Sequence, residues 1–123
     1  MPLWSLDSVR VFCRDFSAAE TFYRTALALT VVVAAPRVAI FSTGGMKLIL
    51  EAQPPDDPET GILVGRFTGI SFSVPHLDAA TGDLASKGVV FYRAAELQGW
   101  GGRLVHFFDP DENILTLVEY PSD

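Results

Sequence analysis

The chain has little cysteine, little positive charge and no long apolar run, and each shortage excludes a class of protein. Cys13 is the only cysteine among 123 residues, so no internal disulfide can form, which fits a reducing cytoplasm. Nine Lys and Arg residues face 15 Asp and Glu, which gives a net charge of −6. Nucleic acids and anionic membranes attract clustered basic residues, so neither is an expected partner. No apolar run approaches the roughly 20 residues of a membrane span.

What is present is the composition of one globular domain, with 49% hydrophobic and 20% charged residues. Apolar residues alternate along 7–13, where Val9, Val11 and Cys13 share one face of a predicted strand. Cys13 is therefore expected to be a small core residue. Further strands are predicted at 30–34, 38–42, 46–51, 68–74, 89–92, 103–108 and 113–120.

Two helices are predicted from their end signals. Ser17-Ala18-Ala19-Glu20 fits a capping box with Ser17 as the N-cap, followed by the apolar stripe that includes Phe22 and Tyr23. Asp78 is expected to cap a second helix that ends near Lys87, with Gly88 as the residue after the C-cap.

The order of these elements repeats along the chain. Each half reads strand, helix and then three strands, with an offset of about 60 residues. We therefore predict an α+β domain of two tandem βαβββ modules, at 1–52 and 67–123, joined by a polar, proline-rich linker at 53–66. The alternative is a ferredoxin-like fold, which the number of strands after each helix argues against.

Several local motifs resemble one known family. They are Val9-Arg10-Val11 with Asp15, Phe22-Tyr23, the repeated strand at Gly69, Trp100-Gly101-Gly102 and Asp109-Pro110-Asp111. In this order they resemble the vicinal oxygen chelate superfamily of glyoxalases, bleomycin resistance proteins and extradiol dioxygenases. The resemblance implies two curved-sheet modules that form a cleft, and a homodimer. The family usually has glycine at Ala28 and Glu112, so a local difference is expected in both turns.

Metal enzymes of this family place ligands at four positions, which the resemblance carries over to Ser8, Ile49, Gly69 and Thr116. None of these is a His, Gln, Glu or Asp, the donors that a divalent metal needs in such a site. The sequence therefore predicts no metal and no other cofactor.

A cleft without metal ligands suits an organic molecule held by a few hydrogen bonds. Alternation directs hydroxyl, apolar and charged side chains toward it, and Trp100 lies in a glycine-rich loop that can approach a ligand. The alternative for Trp100 is a plug or a dimer contact, and Trp4 is expected to pack on a partner subunit or a sheet edge. The predicted ligand-binding residues are Ser8, Arg10, Phe12, Ile49, Ser71, Trp100 and Thr116.

The candidate catalytic residues are Arg10, Glu51 and His106. Arg10 can hold an anionic group, Glu51 can be a general base, and His106 can exchange a proton near neutral pH. The alternatives are an Arg10–Glu51 salt bridge and a structural role for His106.

Three functions follow. The favoured one is a metal-independent small-molecule binding protein of the bleomycin-resistance type. The second is a metal-free isomerase, lyase or hydrolase, so enzymatic activity stays open. The third is a metal-dependent glyoxalase or dioxygenase with relocated ligands.

Overall fold

A computed structural model describes residues 2–122 and divides the chain between Val64 and Gly65 into two compact units. Unit 1 precedes this point and unit 2 follows it. The predicted linker at 53–66 contains a one-turn helix, so part of it belongs to unit 1 as ordered structure. No helix in residues 2–122 is long and apolar enough to cross a bilayer.

Unit 1 is a four-stranded sheet with one interrupted helix. Its elements are β1 (Ser8–Cys13), α1 (Phe16–Thr21) with a π-helical continuation (Phe22–Ala26), β2 (Thr30–Ala34), β3 (Val38–Ser42), β4 (Lys47–Ala52) and α2 (Thr60–Leu63). The strand order is β1-β4-β3-β2, with β1 parallel to β4 and the other neighbours antiparallel. The hairpin predicted around Gly44-Gly45 joins β3 to β4.

Unit 2 repeats this arrangement. Its elements are β5 (Phe67–Ser73), α3 (Leu77–Ser86), β6 (Glu96–Leu97), β7 (Arg103–Phe108) and β8 (Ile114–Glu119). The strand order is β5-β8-β7-β6, again with the first strand parallel to the last. Two units with the same order confirm the tandem βαβββ architecture and exclude the ferredoxin-like alternative.

Each sheet buries the face that carries its aliphatic residues. In unit 1, alternate residues of β1 and β4 are fully or almost fully buried, together with Tyr23 from the π-helical segment and Phe41 from β3. Cys13 belongs to this core, as predicted. In unit 2, Leu77 and Leu84 of α3 are buried, as are Leu115 and Leu117 of β8. The opposite face of each sheet, here called its helix-free face, is where the predicted site residues lie.

Two helix-cap predictions were wrong, because neighbouring or distant groups supply the hydrogen bonds that the sequence motifs predict, and one strand prediction was only partly right. Asp15, not Ser17, caps α1, and its carboxylate accepts a hydrogen bond from the Ala18 amide. Asp78 lies inside the first turn of α3, and the carboxylate of Glu119 in β8 accepts from the Leu77 amide instead, at 2.7 Å. The segment predicted as a strand at 89–92 does pair with β7, but only through the bridge between Phe91 and Phe107 and two flanking backbone hydrogen bonds.

Two turns keep a left-handed backbone without glycine. Ala28 has φ of 54° and Glu112 has φ of 64°, so the expected local difference from the family's glycine turns is not seen. Asp109 and Asn113 stabilise the second turn, since the Asp109 carboxylate accepts from the backbone amides of Asp111 and Asn113, each at 2.9 Å. The predicted glycine ending of α3 is confirmed, with Gly88 at φ of 85°.

Candidate functional site

The helix-free face of unit 1 gathers the predicted residues of the first module. The parallel register places Arg10 beside Ile49 and Phe12 beside Glu51, while Ser8 pairs with Lys47. Residues two apart on a strand share a face, so Ser8, Arg10 and Phe12 lie on the same side. The structure therefore brings four predicted ligand-binding residues of this unit together: Ser8, Arg10, Phe12 and Ile49.

Arg10 and Glu51 are paired with each other on this face. The Nη2 and Nε atoms of Arg10 donate to Oε1 of Glu51 at 2.5 and 3.0 Å, and the guanidinium carbon lies 5.6 Å from the centre of the Phe12 ring. The structure therefore contains the Arg10–Glu51 salt bridge that was the alternative to a catalytic role for these two residues. A ligand anion would have to compete with Glu51 for the Arg10 donors.

The helix-free face of unit 2 contains a row of three polar side chains. Ser71 of β5 pairs with Thr116 of β8, and Thr116 pairs with His106 of β7. The Nδ1 atom of His106 and the hydroxyl of Thr116 are 2.7 Å apart, and the Phe67 ring meets the imidazole edge-on at 5.4 Å. These contacts fix the plane of the imidazole and orient its Nε2 atom. His106 thus joins Ser71 and Thr116, whereas the sequence had placed it only on a strand.

A cavity of about 180 Å³ opens beside His106. Its lining combines an aromatic ring, aliphatic side chains and charged groups: Tyr92, Arg93, Ala94, Glu96, Leu104, Val105 and His106. Only His106 was a predicted site residue. Alternation along β7 could have added Leu104 and Phe108 to the His106 face, and the strand predicted at 89–92 indicates that this segment joins the sheet, but neither pattern predicts a cavity.

Trp100 lies in the loop between β6 and β7, away from the cavity. It precedes β7 at the end where Arg103 pairs with Glu119, and it is not among the residues that line the cavity. Its ring contacts Tyr120 with centroids 5.4 Å apart, and an added Cβ on Gly102 would come within 1.9 Å of its Cζ3 atom. About half of the Trp100 surface remains exposed (51%), so one part of the indole is free to meet a ligand.

Charged groups on the helix side of unit 2 form a separate cluster. Arg103 donates to Asp78 at 2.8 Å and lies 3.8 Å from Glu119. The hydrogen bond from Arg103 and its charge lower the pKa of Asp78, and the same contact raises the pKa of Arg103. This cluster ties α3 to β7 and β8, and it does not belong to the helix-free face.

The four positions at which the family binds a metal do not suit one here. Ser8 and Ile49 offer a hydroxyl and a hydrocarbon, and Gly69 offers no side chain. Gly69 lies in a bulge of β5 with φ of 76°, a conformation that favours glycine for backbone reasons. The Thr116 hydroxyl is already bonded to His106. Within residues 2–122, no three His, Cys, Asp or Glu side chains are grouped to hold a metal ion.

Comparison with known families identifies the class of this protein. The sequence profile of the Glyoxalase/Bleomycin resistance protein/Dioxygenase superfamily matches residues 5–117. The chain therefore belongs to this superfamily, as its motifs and its repeated βαβββ units indicate. Among curated protein sequences, none matches the chain significantly.

Solved structures similar to this chain include both binding proteins and enzymes. TnmS3, an antibiotic binding protein from Streptomyces sp. CB03234, is 23% identical with a TM-score of 0.79 and 99% coverage of both chains. A superfamily member from Sphaerobacter thermophilus is 26% identical, with a TM-score of 0.78 and coverage of 95% and 98%. Lactoylglutathione lyase from Agrobacterium tumefaciens is 20% identical, with a TM-score of 0.76 and coverage of 96% and 95%.

Proposed function

We propose that this protein binds a small organic ligand without a metal, in the cavity of unit 2 that lies between β7 and residues 92–96, beside His106. The observation that carries the proposal is the cavity itself, whose lining brings Tyr92 and Leu104 together with His106. Apolar walls with a few oriented polar groups are typical of sites for organic molecules. The side chains at the family's metal positions agree with this proposal. The hydroxyl groups among them suit hydrogen bonds better than metal coordination.

The similarity to TnmS3 supports a binding function, because that protein is an antibiotic binding protein that shares the fold. At 23% identity the likeness shows the fold alone. The size of the cavity adds a constraint of its own. At about 180 Å³ it is smaller than the roughly 300–1,000 Å³ of sites for drug-sized ligands. It therefore holds a small metabolite, or one end of a larger molecule.

A ligand screen in the presence of a chelator tests this function. Compounds that raise the unfolding temperature of the wild-type protein in EDTA are measured again by calorimetry with Ala94→Trp, in which the new indole fills the cavity. Ala85→Trp on the exposed side of α3 is the matched control. We expect Ala94→Trp to lose binding by tenfold or more and Ala85→Trp to bind like the wild type. Equal affinities in all three proteins would exclude the cavity.

Trp100 is proposed as a second contact for ligands that extend beyond the cavity. Its exposed indole can stack on a planar group, which contributes about 0.5–1.5 kcal/mol beyond the buried area. We expect Trp100→Ala to weaken such a ligand about tenfold while the protein stays folded, since the residue lies in a loop. Unchanged affinity would show that the indole of Trp100 packs on Gly102 and Tyr120 and does not contact the ligand.

A metal-free reaction is the second candidate function, and the geometry of His106 favours it over one that uses Arg10 or Glu51. A hydroxyl that holds Nδ1 leaves Nε2 to exchange a proton with a ligand in the cavity. The test is turnover in EDTA with a pH dependence that follows one titrating group. Turnover that is lost in His106→Asn but kept in His76→Asn would establish the metal-free reaction. Ligand binding with no conversion would leave the binding function alone.

A further inference from the structure

Two opposite charges line the cavity of unit 2 without being paired. Arg93 and Glu96 both contribute to its wall. Of the nine Lys and Arg residues, five form salt bridges within the described part of the chain: Arg10, Arg24, Lys47, Lys87 and Arg103. Arg93 forms none with Glu96 or with any other carboxylate in residues 2–122. Arg93 is exposed and lines the cavity, so its cation, which forms no salt bridge within residues 2–122, is available to a ligand there.

The position of Arg93 leaves its hydrogen-bond donors accessible. Its guanidinium carbon lies 5.0 Å from the centre of the Tyr92 ring. A contact of this kind with an aromatic ring uses none of the guanidinium N–H groups as hydrogen-bond donors to a carboxylate. The N–H groups point outward in the guanidinium plane, where they can bind a carboxylate through two parallel hydrogen bonds.

Glu96, three residues after Arg93, contributes the negative charge to the same lining. It lies in β6 and pairs with Leu104 of β7, and Leu104 also lines the cavity. The hydrogen bond that Gln98 donates to residue 96 uses the backbone carbonyl of Glu96 and leaves its carboxylate unoccupied. The carboxylate is therefore available for an ammonium group on a ligand.

We propose that the ligand is a small zwitterion, with its anionic group on Arg93, its cationic group beside Glu96 and its apolar part against Tyr92 and Leu104. This proposal rests on the binding function proposed above and specifies the ligand class. An anion alone would gain from Arg93 but be repelled by Glu96 in a protein of net charge −6. A cation alone would be repelled by Arg93. Only a molecule that carries both charges complements both residues.

Three probes that share a phenylethyl group test the proposal: phenylalanine as the zwitterion, 3-phenylpropionate as the anion and phenethylamine as the cation. Each is titrated into isotope-labelled protein, and the backbone amide signals of residues 92–96 and 106 are followed by NMR. We expect phenylalanine to shift these signals at a concentration at least tenfold lower than either analogue requires.

Charge-neutral variants then identify the two contacts. We expect Arg93→Gln and Glu96→Gln each to weaken phenylalanine binding at least fivefold. Arg37→Gln and Glu59→Gln remove the same charges from unit 1 and should leave the affinity unchanged. Weaker binding in Arg93→Gln with tighter binding in Glu96→Gln would overturn the zwitterion in favour of an anion, and the reverse pattern would indicate a cation.

The failure of this proposal can be distinguished from the failure of the proposed function. If 3-phenylpropionate binds as tightly as phenylalanine, or if phenylalanine shifts no cavity signal at millimolar concentration, the zwitterion is rejected. Screen compounds whose binding is lost in Ala94→Trp would still establish the cavity as a binding site. If no compound from the screen loses affinity in Ala94→Trp, the proposed function itself is wrong.

Discussion

Gly102 lies directly beneath the indole of Trp100 at the start of β7. A Cβ at this position would come 1.9 Å from the ring and 2.7 Å from the backbone oxygen of Glu119. The ring can rotate away, but the backbone oxygen belongs to the neighbouring β8 strand and cannot. We therefore expect Gly102→Ala to lower the free energy of unfolding by about 1–3 kcal/mol, as overpacked positions do.

The readout for Gly102→Ala combines urea unfolding with tryptophan fluorescence in a Trp4→Phe background, where Trp100 is the only indole left. We expect a changed emission maximum as well as lower stability. Gly99→Ala is the control, because a Cβ there has no atom within 4 Å. Equal stability of the two variants would show that the strand and the ring adjust without cost.

Ser8, Ile49, Gly69 and Thr116 lead to a prediction about metal content. Because none offers a carboxylate or imidazole, we expect no stoichiometric zinc, nickel, manganese or iron in protein purified without a chelator. Elemental analysis measures this directly. Stoichiometric metal that disappears in Thr116→Ala would contradict the prediction and restore a metal-dependent function.

The turn after the π-helical segment depends on one strained residue. Ala28 has φ of 54°, where a side chain costs about 1–2 kcal/mol relative to ordinary backbone. Glycine removes that cost but adds freedom to the unfolded chain. We expect Ala28→Gly to raise the free energy of unfolding by up to about 1 kcal/mol. Ala85→Gly in α3 should lower it by roughly 0.5–1 kcal/mol, and a loss in both variants would show that Ala28 is not strained.

The attachment of α3 to its sheet should depend on pH through Asp78. Its pKa is lowered by Arg103, so the ionised form is favoured in the folded state. The pair therefore stabilises the fold above the ordinary aspartate pKa of 3.8, and this contribution is lost as the pH falls through the lowered value.

We expect Asp78→Asn to be slightly less stable than the wild type at neutral pH and to converge with it in acid. Urea unfolding at several pH values measures the difference. Asp56→Asn, an exposed aspartate in the segment before α2, is the control and should show no such trend. A stability difference for Asp78→Asn that stays constant down to acid pH would show that the Arg103 contact is not responsible.

At the scale of the whole molecule, we propose that the protein is a homodimer. Edge strands with exposed apolar side chains need to be covered, and in edge strand β2 the side chains of Val32 and Val33 are 58% and 45% exposed. Trp4 is also largely exposed in the single chain, and its packing on a partner subunit stays a prediction. We expect light scattering at micromolar concentration to give twice the 13.4 kDa of one chain. A mass of one chain at all concentrations would reject the dimer.

Much of the fold could be predicted because its signals are local. Alternation of apolar residues located β1, β4, β7 and β8 to within a residue or two, and the repeated order of elements gave the two βαβββ units. Motif-based helix caps were less reliable. Ser17 and Asp78 are chemically good caps, but Asp15 caps α1, and at the start of α3 the distant Glu119 accepts from the Leu77 amide. A cap motif shows only that a residue is chemically able to cap a helix. Packing decides which residue lies close enough to the helix end to do so.

The sequence by itself determined most of the strands, the repeat, the family and the lack of metal-binding side chains at the family's metal positions, since each depends on residue types and short spacings. Only the tertiary structure decided that Arg10 bonds to Glu51 and that Thr116 orients His106, because strand register joins residues far apart in the chain. It also placed Arg93 and Glu96 around one cavity. The strand predicted at 89–92 indicates that the segment before β6 meets the sheet, but only the tertiary structure shows that this contact with β7 leaves a cavity.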